Sequence, residues 1–501
     1  MGRYILSLDQ GTTSSRAVLF DERSRPLRSV KEEFRQIFPQ PGWVEHDPRA
    51  IWSTQIRTAK LASAKHRNRI VAIGVTNQRE TTLVWDRHTG KPIHEAIVWQ
   101  DRRTAPIIDD LVSRGYSSYI RRTTGLIPDA YFSGPKVKWL LDSVPKAKKK
   151  ARKGDLLFGT VDTFLIWKLT GGRVHATDHS NASRTMIFDI NRRSWDHRLL
   201  DLLGIPSDML PEVRSSSEIL GHTDRRLLGR EIPVSGVAGD QQAALFGQAG
   251  FERGAAKNTY GTGCFILLNA GNRPPTVHPG LISTIAWSLD GKVTYALEGS
   301  VFIAGAVIQW ARDKLGIVKK ASDTELIGRE TLSSGGVFFV PALTGIGAPY
   351  WNMYARGLII GITRDTTRNQ IVRAALESIC LQTADVLEAM MKTTKKRLRS
   401  LRVDGGASVN NFLMQLQADL LGIPIERSAI PETTALGAAF LAGLAVGVWD
   451  DLDELEGLRR VDRVFRPSMR AHVRAEMREG WKRAVQRALD WATPSSSSRS
   501  S

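Results

Sequence analysis

The stretch "LDQGTTSSRAVLF", residues 8–20, decides how the rest of the chain is read. An apolar run (Tyr4, Ile5, Leu6, Leu8) ends in a carboxylate, Asp9; one glycine and four consecutive hydroxyls follow, then Arg16, then a second apolar run. The pattern predicts two short strands joined by a tight Gly-Thr-Thr-Ser-Ser turn. Glycine lets backbone N–H groups approach an anion with no Cβ in the way, and small hydroxyls add neutral donors. A turn of this make-up, with an acid before it and a cation after it, suits a phosphate and its counter-ion.

Working outward, "LRSVKEEFRQIF" supplies a third strand, and a helix starts near Asp47-Pro48, with Asp as N-cap, and runs to about Ala64. "IVAIGVTNQ" (70–78) is a buried strand with a polar C-terminal end, and "TTLVWDRHTGKPIHEAIVWQ" reads as a hairpin around His-Thr-Gly-Lys-Pro. From about 104 to 230 helical patterns alternate with loops. Near residue 233 the texture of the opening returns. "IPVSGVAGDQQAALFGQ" is strand, polar corner and apolar helix; "AKNTYGTGCFILLNAG" is strand, turn and strand; "LRSLRVDGGASVNNFLMQLQADLLG" is strand, Gly-rich turn and amphipathic helix. Two related α/β domains are expected to face each other, residues 1–247 and 248–493, with a disordered Ser-rich tail at 494–501. Ligands of such sheets sit in the crevice beyond the strand ends.

A chain of 501 residues has room for two to four domains at ~100–200 residues each. No stretch reaches the ~20 apolar residues that span a bilayer, and no signal peptide is expected ahead of the first strand. Two cysteines, Cys264 and Cys380, exclude a disulfide framework and a thiolate metal cluster. A cytoplasmic, reducing address is expected. The formal charge of +19 includes the cluster "KAKKKARK" at 146–153. Without aromatic interleaving it reads as a solvated face that steers anionic substrates, in preference to a nucleic-acid or anionic surface contact.

Three turns compete for phosphates: "DQGTTSS" (9–15), "YGTG" (260–263) and "DGGASVNN" (404–411). None is a Walker loop or a dinucleotide fingerprint. Asp9 and Asp240 stand at strand ends beside small residues. They can cap turns, or they can share two tasks of phosphoryl transfer: holding magnesium, and accepting the proton of the attacking hydroxyl.

The motifs "LDQGTTSSRA", "GWVEHDP", "TNQRETT", "AIVWQDRRT", "TVDTFLIWKLT", "SNASRT", "AGDQQAALFGQ", "KNTYGTGCF" and "LRVDGGASVNNFLMQ" lie in the order found in the glycerol kinases. The chain closely resembles that branch of the carbohydrate kinases with the actin-like ATPase fold, from about residue 3 to 490. The resemblance implies an α/β fold of two related actin-like (ribonuclease H-like) domains with a cleft between them. It further implies ATP-dependent phosphorylation of glycerol to sn-glycerol 3-phosphate in glycerol uptake and catabolism, with ATP and Mg²⁺ as cofactors. A homo-oligomer, dimer or tetramer, is implied too, with no nucleic-acid partner and no stable membrane insertion.

Carried over residue by residue, the resemblance makes Thr12, Thr13 and Ser14 the phosphate-binding hydroxyls, with Arg16 close by. Arg79, Glu80 and Tyr131 would hold glycerol hydroxyls, and Trp99 and Phe265 would pack on its carbons. Asp240 would be the general base, with Gln241 beside it, and Asp9 with Asp240 would lie at the magnesium. Thr262, Gly305, Gln309, Gly406 and Asn410 match nucleotide positions. The chain departs from the family pattern at Ala130, Pro135 and Asn352-Met353, and "DRRLLGRE" (224–231) stands where some bacterial members carry a Gly-rich loop for a sugar-bisphosphate inhibitor.

Overall fold

A computed structural model describes residues 2–276 and 279–492; the tail expected at 494–501 lies outside them. Its centre is one sheet of thirteen strands: β1 (Tyr4–Gln10), β2 (Ser14–Asp21), β3 (Pro26–Glu33), β4 (Ile70–Asn77), β5 (Ser217–His222), β6 (Pro233–Gly239), β7 (Ala256–Tyr260), β8 (Cys264–Gly271), β9 (Ile282–Leu289), β10 (Lys292–Val301), β11 (Leu401–Asp404), β12 (Ile425–Ser428) and β13 (Val461–Phe465). The spatial order is β13-β12-β11-β7-β8-β10-β9-β5-β6-β4-β1-β2-β3.

That order contains the same unit twice. β1, β2 and β3 form an antiparallel meander, and β4 and then β6 add in parallel beside β1. In the second half β7, β8 and β10 form the antiparallel set, and β11 and then β12 add in parallel beside β7. The two units meet through β5 and β9, which pair only at Ser217 and Leu289. Each unit therefore aims the C-terminal ends of its parallel strands at the same side, where the turns after β1, β4, β6, β7 and β11 gather.

Burial on both faces explains the apolar runs of the first strands. Ile5, Val18 and Phe20 enter one core, while Leu6, Leu8, Ala17 and Leu19 enter the core on the opposite face, as the two-residue period requires. The first of these cores is shared between the halves, because helix Thr433–Ala445 packs on β1, β4 and β6 and crosses helix Asp240–Gly247. A Cβ at Gly437 would stand 1.8 Å from the Ala243 carbonyl oxygen, so only glycine permits this crossing.

The helix expected from Asp47 runs from Pro48 to Ser63, and the Asp47 side chain accepts from Arg49 N–H. β3 is the third strand expected. The segment 81–100 differs from the simple hairpin. Leu83–Asp86 pairs with Leu156–Gly159, Ala96–Ile97 pairs with Glu45–His46, and the two runs meet only at isolated bridges, Thr82 to Ile97 and Trp85 to Pro92. Pro92 has no N–H to extend a ladder, and the buried Leu156–Gly159 offers a full-length apolar partner. The basic cluster forms the short helix Ala147–Arg152; Lys148 pairs with Asp142 and Lys150 with Asp86, and both lysine side chains are exposed. No helix among the described residues is long and apolar enough to cross a membrane.

Candidate active site

Beyond the ends of β4 and β6 lies a string of buried charges. β4 ends at Asn77, and the chain then carries Gln78, Arg79 and Glu80, all inaccessible to solvent or nearly so. The Arg79 guanidinium is held on three sides. Its Nε contacts Asp240 Oδ1 at 3.0 Å, Nη1 and Nη2 reach the two oxygens of Glu298 at 2.5 and 3.1 Å, and Nη1 also donates to Gln242 Oε1 at 3.3 Å. Arg184 continues the string, with Nε on Glu80 Oε1 at 2.6 Å and Nη2 on Glu298 Oε1 at 3.2 Å. Burial opposes these charges, and the alternation of sign overcomes it. Burial would lower the Arg79 pKa, but Glu298, Glu80 and Asp240 together hold it well above normal. Glu298, raised by burial, is brought below its usual value by Arg184 and Arg79. Burial prevails at Glu80, whose carboxyl is pushed up against the pull of Arg184 and Arg79.

Glu80 sits at φ +62°, a left-handed conformation uncommon for a residue with a side chain. Its carbonyl accepts from Thr82 Oγ1 and Ser133 Oγ, both at 3.0 Å, which fixes the turn. Glu80 Oε2, one N–H of Arg79 Nη2 and the Tyr131 hydroxyl take no partner among the described residues. One acceptor, one donor and one hydroxyl that can serve as either thus remain available in one cluster, and Arg184 Nη1 beside them is buried with no partner among the described residues. Tyr131 closes it as part of an aromatic group: Trp99 lies 5.5 Å from Tyr131 and 6.3 Å from Phe265, both edge-on.

Trp99 joins this pocket to the first phosphate turn, because its Nε1–H donates to Thr12 Oγ1 at 3.0 Å. The turn between β1 and β2 is fixed from behind. Gln36 Nε2 donates to the Thr12 carbonyl at 3.0 Å, Gln78 Nε2 donates to the Gly11 carbonyl at 3.1 Å, and Gly11 N–H closes on the Ser14 carbonyl at 2.9 Å. Thr13 is exposed, and Thr12 and Ser14 are half-buried. Asp9 and Arg16 stand opposite each other in the β1–β2 register, and Arg16 reaches Glu432 at 3.8 Å. The Asp9 carboxyl is pushed up to about 6, first by burial and further by the charges of Asp240 and Glu432, against the pull of Arg16. A cation between Asp9 and Asp240 would relieve that crowding. Gln241, the next residue, accepts from Lys257 Nζ, which also donates to Thr259 Oγ1 at 2.8 Å. Burial brings the Lys257 ammonium down to about 8, against the pull of Asp404 and Asp240.

The second half contributes two open turns. The carbonyl of Thr262 accepts from Ala304 and Ala306 N–H at 2.8 and 3.1 Å, and that of Gly261 accepts from Gly305 N–H at 3.0 Å, so the turn is bound to the start of helix Gly305–Asp313. Gln309 lies exposed one turn along that helix. After β11 the chain passes through Gly405, at φ +89°, where a Cβ would stand 2.4 Å from the Tyr260 carbonyl oxygen. Gly406 faces open space, and Asn410 caps helix Asn411–Leu421 by accepting from Leu413 N–H at 2.9 Å.

The chain is matched by the two models of the FGGY family of carbohydrate kinases, the N-terminal domain over residues 4–247 and the C-terminal domain over 256–446. It belongs to that family. "Glycerol kinase 2" of Thermotoga maritima is 60% identical over 492 residues, covering 98% of this chain and 99% of its own. A glycerol kinase of Symbiobacterium thermophilum is 58% identical over 492 residues with the same coverage. Among solved structures, Plasmodium falciparum glycerol kinase with ADP superposes with a TM-score of 0.93 at 37% identity, covering 97% of this chain and 98% of that one. A gluconate kinase from Lactobacillus acidophilus (TM-score 0.87, 24% identity, 97% of each chain) shares the fold. The fold is therefore the two-domain carbohydrate-kinase fold, as the motifs led us to expect.

The sequence pointed to Arg79, Glu80, Trp99, Tyr131, Phe265, Asp240 and Gln241, and the structure brings these together beyond the ends of β4 and β6. It did not point to Glu298, Arg184, Lys257 or Gln242. A signal existed for two of them: Glu298 is the lone charge within the apolar strand "YALEGSV", and Lys257 stands among small and apolar residues in "GAAKNTYG".

Proposed function

We propose that this chain phosphorylates glycerol at the expense of ATP, giving sn-glycerol 3-phosphate. The observation that carries the reading is the trio left open in the aromatic pocket: Glu80 Oε2, one Arg79 N–H and the Tyr131 hydroxyl. A three-carbon polyol offers hydroxyls and little else, and a site that pairs each of them rejects molecules lacking one, because its own buried groups would be left unpaired. The full-length relatives named glycerol kinase support the same activity.

The roles follow from position. Asp240 accepts the proton of the attacking hydroxyl, with Arg79 holding one carboxylate oxygen so that the other faces the acceptor. Gln241 turns its oxygen to Lys257, which leaves its amide N–H groups for the acceptor. Thr12, Thr13 and Ser14 cradle the γ-phosphoryl group as it passes from ATP to the glycerol hydroxyl, with Arg16 offsetting charge nearby. Thr262, Gly305, Gln309, Gly406 and Asn410 line the nucleotide's place. Magnesium ordinarily takes one or two carboxylates together with phosphate oxygens and water, and Asp9 with Asp240 fits that demand. When bound, the ion would neutralise phosphate charge.

On this reading residues 1–247 mainly hold the acceptor and 248–493 mainly the nucleotide, in a cytoplasmic enzyme that works as a dimer or tetramer. The test is ADP production by purified protein with MgATP and glycerol, xylulose, gluconate or no acceptor. Glycerol-selective turnover is expected; equal slow turnover with every acceptor would make the chain an ATP-binding protein with another role.

A further inference from the structure

Glu298 lies in the second half, on β10, yet both arginines that it binds lie in the first. Its carboxylate is fully buried and accepts three N–H groups, two from Arg79 and one from Arg184. Glu80, the other carboxylate in the string, is bound only through Oε1, by Arg184. Arg184 is therefore the common support of Glu80 and Glu298, and Glu298 is the common support of Arg184 and Arg79.

The geometry points to Glu298 as a positioning residue that sets acceptor specificity: by gripping Arg79 through both terminal nitrogens, it presents one N–H of Arg79 beside the open oxygen of Glu80. The proposal rests on the reading of that pocket as the glycerol site. Its physical basis is directional. A guanidinium is planar, and a bidentate carboxylate fixes both its plane and its rotation. With Nη1 and Nη2 on Glu298 and Nε on Asp240, the remaining Nη2 hydrogen has one direction left. One donor and one acceptor are thereby offered together, a match for two adjacent hydroxyls, one accepting from Arg79 and the other donating to Glu80. Without the Glu298 charge, Arg79 keeps Asp240 as its one directly paired carboxylate, with Glu80 acting through its nearby charge, and turns towards Asp240. The pocket then loses the fixed donor, while the phosphate turns, which Glu298 does not touch, stay as they are.

Glu298→Gln, which keeps the shape and removes the charge, tests this through KM values for glycerol and ATP, the thermal midpoint, and turnover of propane-1,2-diol. Loss of a charge-assisted hydrogen bond should raise the glycerol KM by ~10-fold or more. The ATP KM should stay within about twofold, and the preference for glycerol over the diol should shrink, since uniform binding is lost on the acceptor side alone. Glu298→Asp, which keeps the charge and shortens the reach, should give the same split in smaller degree, and it carries the test by itself if Glu298→Gln does not fold. Parallel rises in both KM values, or a lowered thermal midpoint with an unchanged glycerol KM and unchanged preference, would reduce Glu298 to a purely structural role. Arg79→Ala separates the two levels. A normal glycerol KM there overturns the acceptor reading itself, whereas a raised one alongside a normal Glu298→Gln overturns only the role of Glu298.

Discussion

On the proposed assignment, the acceptor pocket around Arg79 and the phosphate turns are built by opposite means. The pocket is made of side chains: Arg79, Glu80, Arg184 and Glu298 are buried, charged and bound to each other in series. The turns are made of backbone: Gly11–Ser14, Gly261–Gly263 and Gly405–Gly406 offer N–H groups and short hydroxyls, and Thr13, Thr262 and Gly406 are exposed. The difference follows from the ligands. A phosphate brings its own charge, so neutral donors at a turn or helix start suffice. Glycerol brings none, so the protein must supply the charge, bury it and balance it internally. A change in the pocket therefore disturbs a network, whereas a change in a turn acts locally.

The sharpest way to break this comparison is at Asp240, which belongs to both regions. Asp240→Asn keeps the shape and removes the base; kcat should fall by ~10²–10⁴, read as ADP production under saturating MgATP and glycerol. Turnover within about tenfold of the parent would take Asp240 out of that role. Next in size is Arg79→Ala. It removes a donor to the acceptor and leaves Glu298 with Arg184 as its one directly bound cation. The glycerol KM should rise far more than the ATP KM, and the protein should lose part of the ~3–5 kcal/mol typical of breaking a buried ion pair, seen as a lower denaturation midpoint. Equal rises in the two KM values would show that Arg79 serves both regions and that the division drawn here is false.

The same division explains what could be read from the sequence. The turns were legible because their chemistry is local: glycines, hydroxyls and a preceding acid within a few residues, as in "LDQGTTSSRA" and "VDGGASVNN". The repeated strand-turn-strand texture likewise exposed two related halves, since β1–β2 and β7–β8 are sequential hairpins. The pocket was legible only through a resemblance, and only in part. Arg79 and Glu298 are 219 residues apart, and Arg184 joins Glu80 across 104. No local pattern encodes such pairs. The hairpin expected at 81–100 is reduced to two antiparallel bridges for the same reason, because the ladder partner of Leu83–Asp86 lies at Leu156–Gly159.

On the phosphate side the expected effects are smaller and concern stability first. At Gly405, φ +89° and the nearby Tyr260 carbonyl leave no room for a side chain. Gly405→Ala should cost about 1–3 kcal/mol in a denaturant titration and weaken ADP binding by distorting the turn. Gly406 faces open space, so Gly406→Ala should leave the denaturation midpoint almost unchanged, and any loss of ADP affinity would then report direct crowding of the nucleotide.

Asn410→Ala is the mildest and the most discriminating. The Asn410 side chain accepts from Leu413 N–H as the cap of helix Asn411–Leu421, and its amide donates to Thr324 Oγ1 at 3.2 Å. Losing the cap should cost about 1 kcal/mol, visible as a small drop in the denaturation midpoint. If the turns work through backbone alone, ADP affinity measured by calorimetry should fall by no more than about fivefold, the equivalent of that same ~1 kcal/mol. A much larger loss, at an unchanged midpoint, would mean that Asn410 gives its side chain to the nucleotide instead of the helix. The phosphate side would then use dedicated side chains as the acceptor pocket does, and the contrast between the two regions would be one of degree.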